Sequence, residues 1–127
     1  MLAAPAPEIM IVDDDPHVRE ALTDFLADEG FRVRDAENGA DALEQLASKG
    51  EQPALVILDL AMPVMDGYQF LYQLQAAEAA AAVPVVILSA SIDQNWLPEH
   101  IVKLRKPIES HLLVKTIRGI LGTRYPI

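Results

Sequence analysis

The sequence predicts one α/β domain, in which a parallel β-sheet carries helices on both of its faces. Short, continuous apolar runs alternate along the chain with segments whose apolar residues recur at helical spacing. Such alternation is typical of strand–helix–strand units, which build parallel sheets. The length of 127 residues is that of one ordinary domain, and 51% of the residues are hydrophobic, which is enough to form a core.

The first strand is predicted at Glu8–Val12, because its continuous apolar run is typical of a strand covered on both faces. Three aspartates and Pro16 then favour the start of a helix, since acids cap a helix N-terminus and proline suits the first turn. Apolar residues at helical spacing continue to Leu26. Gly30 is predicted to end this helix, as glycine often does just beyond a helix C-terminus.

A half-exposed edge strand is predicted next, because Phe31 and Val33 alternate with two arginines. A second helix follows and is expected to end near Gly50. The third strand is predicted at Ala54–Leu58, which is the most strand-like stretch of the chain and leads directly into Asp59.

The second half of the chain repeats this alternation of apolar patterns. A third helix through Phe70 and Leu74 is expected to end in the alanine-rich stretch 76–82. Residues 90–100 allow at most a short helix, because a proline interrupts them. The remaining predicted elements are a fourth strand at 83–88, a fifth strand at 101–104 and a last helix at about 109–121.

The composition excludes several classes of function. The chain has no cysteine, so it has no disulfide framework, thiolate metal site or thiol nucleophile. Nineteen acidic and ten basic residues give a net charge of −9, which repels nucleic acids and anionic membranes. Without a signal peptide or an apolar run near the ~20 residues that span a bilayer, the sequence predicts a soluble, cytoplasmic protein. We expect a flexible tail at 1–7, a domain at 8–121 and a second tail at 122–127.

The ends of the predicted strands indicate the chemistry, because parallel α/β sheets bind ligands beyond the carboxyl ends of their strands. Polar residues follow four of the five strands. They are Asp13, Asp14 and Asp15 after the first strand, Asp59 after the third, Ser89 after the fourth and Lys106 after the fifth.

The aspartates at these strand ends predict a metal site. Three consecutive aspartates together with Asp59 would repel one another unless a cation compensated their charge. Hard oxygen ligands that are open to solvent suit Mg²⁺. The alternative, that the aspartates only cap the next helix, stays open for Asp15. It is weak for Asp13 and Asp14, because a cap needs one acid and not three.

Asp59 ends an otherwise apolar strand, where a charge is costly unless it has a purpose. A carboxylate can attack phosphorus and form an acyl phosphate. Lys106 and the metal would then neutralise charge on the phosphoryl oxygens, and Ser89 would donate a hydrogen bond to them. Lys106 and Ser89 each have an ordinary alternative interpretation, Lys106 as a surface lysine and Ser89 as a helix cap. Their occurrence at successive strand ends favours a phosphoryl site.

The chain also resembles the receiver domains of two-component response regulators over residues 8–121. Four motifs carry the resemblance, and the phosphoacceptor loop is the most specific of them. They are the acidic motif Asp13-Asp14-Asp15-Pro16, the phosphoacceptor loop at 58–67 around Asp59, the hydroxyl motif Ser89-Ala90 and the pair Lys106-Pro107.

The resemblance implies a flavodoxin-like, doubly wound sheet of five parallel strands in the order 2-1-3-4-5 with helices on both faces. It implies that Asp59 accepts a phosphoryl group from a sensor histidine kinase or a histidine phosphotransfer protein. Mg²⁺, or Mn²⁺ in its place, would be held by Asp13, Asp14, Asp59 and the backbone carbonyl of Ala61.

The same resemblance implies that Lys106 pairs with the phosphoryl group, that Ser89 bonds it once it is attached, and that the Lys106–Pro107 peptide bond is cis. Such a domain is a signalling phosphoacceptor and not an enzyme. It would control a downstream partner by changing conformation and would bind neither nucleic acid nor a membrane itself.

Two departures from the family pattern affect signal output. Lys103 stands three residues before Lys106, where the family usually has an aromatic residue. The stretch from Ser89 to Lys106 is several residues shorter than usual, so the helix between the fourth and fifth strands is expected to be short or absent. A pseudo-receiver, which binds partners without phosphorylation, is the alternative function. Its usual sign is loss of the acceptor, the acidic pair or the lysine, and all of these are present.

Two other classes of protein, one cofactor-binding module and one enzyme, fit the sequence less well. A flavodoxin-type module would place the phosphate of its cofactor after the first strand, where three aspartates repel it. A phosphatase of the haloacid dehalogenase type needs a second aspartate two residues after its nucleophile, and Ala61 occupies that place.

Overall fold

The computed structural model of the chain describes residues 6–47, 52–62, 65–77, 82–90, 92 and 101–122. Strands and helices alternate through these residues. In chain order they are β1 (Glu8–Val12), α1 (Pro16–Asp28), β2 (Arg32–Ala36), α2 (Gly39–Ala47), β3 (Leu55–Leu58), α3 (Gly67–Ala76), β4 (Val85–Ser89), β5 (Val102–Arg105) and α4 (Ser110–Leu121).

The five strands form one sheet in the order β2-β1-β3-β4-β5, and every neighbouring pair is parallel. This confirms the predicted flavodoxin-like topology. The pairing register aligns the strand ends, since Val12 lies opposite both Ala36 and Leu58. The order reverses between β1 and β3, which places their carboxyl ends side by side at the point where such sheets bind ligands.

Two apolar clusters cover the two faces of the sheet, because successive side chains of a strand point to opposite faces. Helices α2 and α3 pack on one face and helices α1 and α4 on the other. The first cluster includes Met10, Val12, Val56, Leu58, Leu46 and Phe70. The second includes Ile9, Ile11, Leu55, Ile57, Leu26 and Ile117.

The boundaries of the elements follow local chemistry. Pro16 begins α1, and the side chain of Asp15 accepts a hydrogen bond from the backbone N–H of His17, so Asp15 caps this helix. Gly30 has a φ of 95°, which glycine adopts at low cost, and it turns the chain after α1. The second strand begins at Arg32, one residue later than predicted, because the backbone N–H of Phe31 donates to the carbonyl of Leu26 near the end of α1.

Several sequence predictions lie outside the described residues. They concern most of the alanine-rich stretch beyond Ala77, most of the segment between β4 and β5 with its short or absent helix, the end of the second helix near Gly50, and most of both tails. None of the helices that the structure describes is long and apolar enough to cross a membrane.

Candidate functional site

The sheet brings the predicted strand-end residues together. Strands β1, β3 and β4 are neighbours in the sheet. Asp13 and Asp59 directly follow β1 and β3, and Ser89 is the last residue of β4. Among the described residues, these three are the buried polar or charged side chains, at 3%, 7% and 0% exposure. Burial of two carboxylates is costly unless they are hydrogen-bonded and paired, so their partners define the site.

Every polar atom of Asp13 takes part in a hydrogen bond. Its carboxylate Oδ1 accepts the backbone N–H of Asp15 at 2.9 Å, and Oδ2 accepts the ammonium of Lys106 at 2.8 Å. Its own N–H donates to the carbonyl of Ala36 at 3.3 Å, and its carbonyl accepts from Arg19 at 2.7 Å. These bonds hold the residue from the side of β2 and from the side of β5 at once.

Asp59 follows β3, and one of its carboxylate oxygens accepts two hydrogen bonds. Oδ1 accepts the hydroxyl of Ser89 at 2.8 Å and the backbone N–H of Ala61 at 3.3 Å. Oδ2 lies 3.7 Å from Nζ of Lys106, which is an ion-pair distance without a hydrogen bond. Oδ2 is therefore the less constrained oxygen of this carboxylate.

Lys106 joins both buried carboxylates across the sheet. Its backbone N–H donates to the carbonyl of Ser89 at 3.0 Å, and the Lys106–Pro107 peptide bond is cis, as the resemblance implies. Burial alone lowers the pKa of Lys106. The hydrogen bond to Asp13 and the charges of Asp13 and Asp59 raise it by more, so the net shift is upward and the ammonium stays charged.

The carboxylates of Asp13, Asp14 and Asp59 form a candidate metal site. Each offers one oxygen, and these oxygens lie within 4.8 Å of one another. Asp14 is exposed whereas the other two are buried, so a bound ion would have protein ligands on one side and solvent on the other. Three hard oxygen donors with open solvent positions fit Mg²⁺ or a similar cation. Asp15 points instead into the N-terminus of α1 as its cap.

Two residues of the site were not singled out by sequence reasoning. Arg19 on α1 donates to the carbonyl of Asp13, and Gly67 begins α3 directly against the residues after β3. A Cβ on Gly67 would lie 2.6 Å from Cα of Leu60 and 2.8 Å from the carbonyl oxygen of Asp59. The glycine after a turn was visible in the sequence, but its contact with the backbone of Asp59 was not.

Lys103 lies on β5 and is partly buried. Its ammonium donates to the carbonyl of Ile101 at 2.9 Å. The aromatic residue that this position usually has in the resembled family is thus replaced by a cation on the edge strand of the sheet.

Comparison with known proteins identifies the family. The family model described as "Response regulator receiver domain" matches residues 9–118, which is most of the chain. The chain belongs to the response-regulator receiver family. It is therefore a receiver domain of two-component signalling, and its cluster of three aspartates is consistent with the phosphoacceptor site of that family.

Relatives and solved structures agree with this assignment. The receiver is 34% identical to protein PilH of Pseudomonas aeruginosa over 119 residues, which are 90% of this chain and 97% of PilH. The receiver domain of a signal transduction histidine kinase from Syntrophus aciditrophicus superposes with a TM-score of 0.83 at 26% identity, covering 96% of this chain and 95% of that one.

A third comparison shows the same fold at lower identity. The receiver domain of the sensor histidine kinase PA1611 from Pseudomonas aeruginosa superposes with a TM-score of 0.81 at 23% identity, covering 92% of this chain and 98% of that one. That structure has a magnesium ion coordinated in its active site cleft.

Proposed function

We propose that this receiver is a phosphorylation-controlled switch in which Asp59 accepts a phosphoryl group from a phosphohistidine. One observation carries the proposal. Asp59 is a buried carboxylate with a hydroxyl donor on one oxygen and a lysine ammonium near the other, inside a cluster of three aspartates. A buried acid that served only stability would not need two further carboxylates beside it.

The chemical step follows from this arrangement. Oδ2 of Asp59 attacks phosphorus and forms a new P–O bond, while the P–N bond of the phosphohistidine breaks. The imidazole nitrogen leaves with the electron pair of that bond and takes up a proton. Lys106 is 3.7 Å from Oδ2, so its ammonium lies beside the oxygen on which the phosphoryl group would be built.

Asp13, Asp14, Asp59 and the backbone carbonyl of Ala61 are the proposed holders of Mg²⁺, with Mn²⁺ as the alternative ion. The carboxylate oxygens within 4.8 Å of one another support this set, and the structural relative with bound magnesium is consistent with it. A bound ion would neutralise charge that develops on the phosphoryl oxygens. The proposed role of the Ala61 carbonyl rests on the family resemblance.

The switch follows from the bond between Ser89 and Asp59. Phosphorylation attaches to a carboxylate oxygen of Asp59 a phosphoryl group that carries about −1.5 to −2 charge and strong acceptor oxygens. Ser89 then transfers its hydroxyl bond from Oδ1 to a phosphoryl oxygen. Because Ser89 is the last residue of β4, its movement displaces the segment that follows, and this shifts the population toward an active conformation.

The proposed donor is a sensor histidine kinase or a histidine phosphotransfer protein, and the proposed location is the cytoplasm. The receiver then controls a downstream protein by its conformation, with autodephosphorylation as its only turnover. A pseudo-receiver, the alternative function, is disfavoured because the acceptor, the acidic pair and the lysine lie together at the ends of three strands.

The test is intact mass spectrometry after incubation with acetyl phosphate and Mg²⁺. We expect one added phosphoryl group that requires the metal and disappears in Asp59→Asn. Asp28→Asn removes an acidic side chain of α1 outside the site, so it is the matched control and should be phosphorylated like the unchanged chain. No adduct with acetyl phosphate and no adduct with a phosphohistidine donor would contradict the proposal and favour the pseudo-receiver.

A further inference from the structure

Arg19 links the acidic loop, defined here as residues 13–15, to the end of the edge strand β2. Its Nη1 donates to the carbonyl oxygen of Asp13 at 2.7 Å, and its Nε lies 3.2 Å from Oδ2 of Asp35. The side chain of Arg19 is 16% exposed, whereas that of Asp35 is 56% exposed. We propose that Arg19, oriented by Asp35, is a positioning residue that holds the acidic loop in the conformation needed for metal binding and phosphoryl transfer.

The acidic loop needs such a restraint because it concentrates negative charge. Successive carboxylates repel one another, and the nearby carboxylate of Asp59 adds to the repulsion. Lys106 compensates part of this charge from the side of β5. From the side of β2, the side-chain contact is the guanidinium of Arg19 on the carbonyl of Asp13.

The guanidinium suits this position for a geometric reason. Its N–H groups form a rigid planar fork, so Nη1 and Nε can bond two different partners at fixed angles. Hydrogen bonds from a charged donor are also stronger than neutral ones. The backbone N–H of Arg19 donates to the carbonyl of Asp15 at 3.0 Å, so the same residue holds both ends of the acidic loop.

The hydrogen bonds of Arg19 to the site end on the backbone of the acidic loop, at the carbonyl oxygens of Asp13 and Asp15, and not on a carboxylate that would bind the metal. Its effect on the chemistry must therefore pass through the orientation of Asp13 and Asp14. This inference rests on the proposed function for its catalytic consequence. The predicted restraint on the acidic loop does not depend on the proposed function.

The variants Arg19→Gln and Asp35→Asn test the proposal in the full chain, and Arg34→Gln is the matched control. Arg34 also pairs with a carboxylate across β1 and β2, since its Nη2 lies 2.6 Å from Oε1 of Glu8, but this pair is at the start of β1. Two readouts are needed. They are amide hydrogen exchange of the acidic loop in metal-free protein and the rate of phosphorylation by acetyl phosphate at saturating Mg²⁺.

For Arg19→Gln we expect the amides of Asp13 and Asp15 to exchange about tenfold faster, because a charged hydrogen bond is lost. We expect phosphorylation to slow by about tenfold, because the ligands are less well oriented. Asp35→Asn should change both in the same direction by about threefold, since the guanidinium remains but its orienting partner loses its charge. Arg34→Gln should change neither.

The proposal is overturned if Arg19→Gln lowers the melting temperature but leaves loop exchange and the phosphorylation rate as they are in Arg34→Gln. If Arg19→Gln does not fold, Asp35→Asn decides alone, because Asp35 is a largely exposed side chain. If the unchanged chain is not phosphorylated, the proposed function fails, and loop exchange still decides whether Arg19 positions the loop.

Discussion

Lys106 shows how one side chain can serve both stability and chemistry. Its ammonium bonds Asp13 at 2.8 Å and lies 3.7 Å from Asp59, and these contacts raise its pKa above the ordinary lysine value despite burial. A group with a raised pKa in the folded state stabilises that state fully below the pKa of the unfolded state. The contribution is lost as the pH rises through the folded-state pKa.

In metal-free protein we therefore expect Lys106→Gln to lower the free energy of unfolding by the same amount from pH 7 to about pH 10. Above that range the difference from the unchanged chain should shrink, because Lys106 itself loses its proton. Urea unfolding of the variant and of the unchanged chain at several pH values measures this difference in the free energy of unfolding. Lys115→Gln changes the net charge equally at an exposed site on α4. Its free energy of unfolding should show neither the constant loss up to about pH 10 nor the decrease of that loss at higher pH. A difference that grows with rising pH would contradict the assigned ion pairs.

At the scale of elements, the close approach of α3 to the end of β3 depends on Gly67. The first turn of α3 is fixed by Asp66, which accepts the N–H of Gln69 while the side chain of Gln69 accepts the N–H of Asp66. Because the cap fixes the helix start, a Cβ on Gly67 must displace backbone: it would lie 2.6 Å from Cα of Leu60. The displaced backbone belongs to the residues next to Asp59.

We expect Gly67→Ala to lower the free energy of unfolding by about 1–3 kcal/mol through overpacking and to slow phosphorylation of Asp59. Gly119→Ala is the matched control, since nothing lies within 4 Å of the added Cβ in α4. There the substitution should stabilise the domain by about 0.5–1 kcal/mol, because alanine favours a helix interior. Chemical unfolding and intact mass measure the two effects. Equal stability changes for both variants would show that α3 can move away from Leu60.

The elements also show what sequence could predict and why. Strand β1 has the predicted bounds, because burial on both faces leaves a continuous apolar run. The sequence also predicted that the strand-end residues lie together, because the carboxyl ends of parallel strands meet at one edge of the sheet. These residues are Asp13, Asp59, Ser89 and Lys106. The pairing among them was not predicted. Lys106 bonds Asp13, 93 positions away in sequence, and not Asp59, and sub-ångström packing decides between the two.

At the scale of the molecule, the distribution of charge couples cation binding at the candidate metal site to the stability of the fold. The chain carries a net charge of −9, and three aspartates of this excess are gathered within one cluster. Lys106 is the cation paired there in the described structure. Folding therefore brings the carboxylate of Asp59 to those of Asp13 and Asp14, which are distant from it in sequence. A cation that binds only the folded cluster shifts the equilibrium toward the folded state.

We expect Mg²⁺ at about 100 times its dissociation constant to raise the free energy of unfolding by about 2.7 kcal/mol. Asp14→Asn should lose most of this gain, because it removes the solvent-exposed carboxylate of the cluster. Asp24→Asn removes the same charge from an exposed position on α1 and should keep the gain. The comparison requires unfolding curves with and without Mg²⁺ at constant ionic strength, so that general screening is equal. If both variants gained equally, the ion would act on the overall negative charge, and the cluster of Asp13, Asp14 and Asp59 would not be its site.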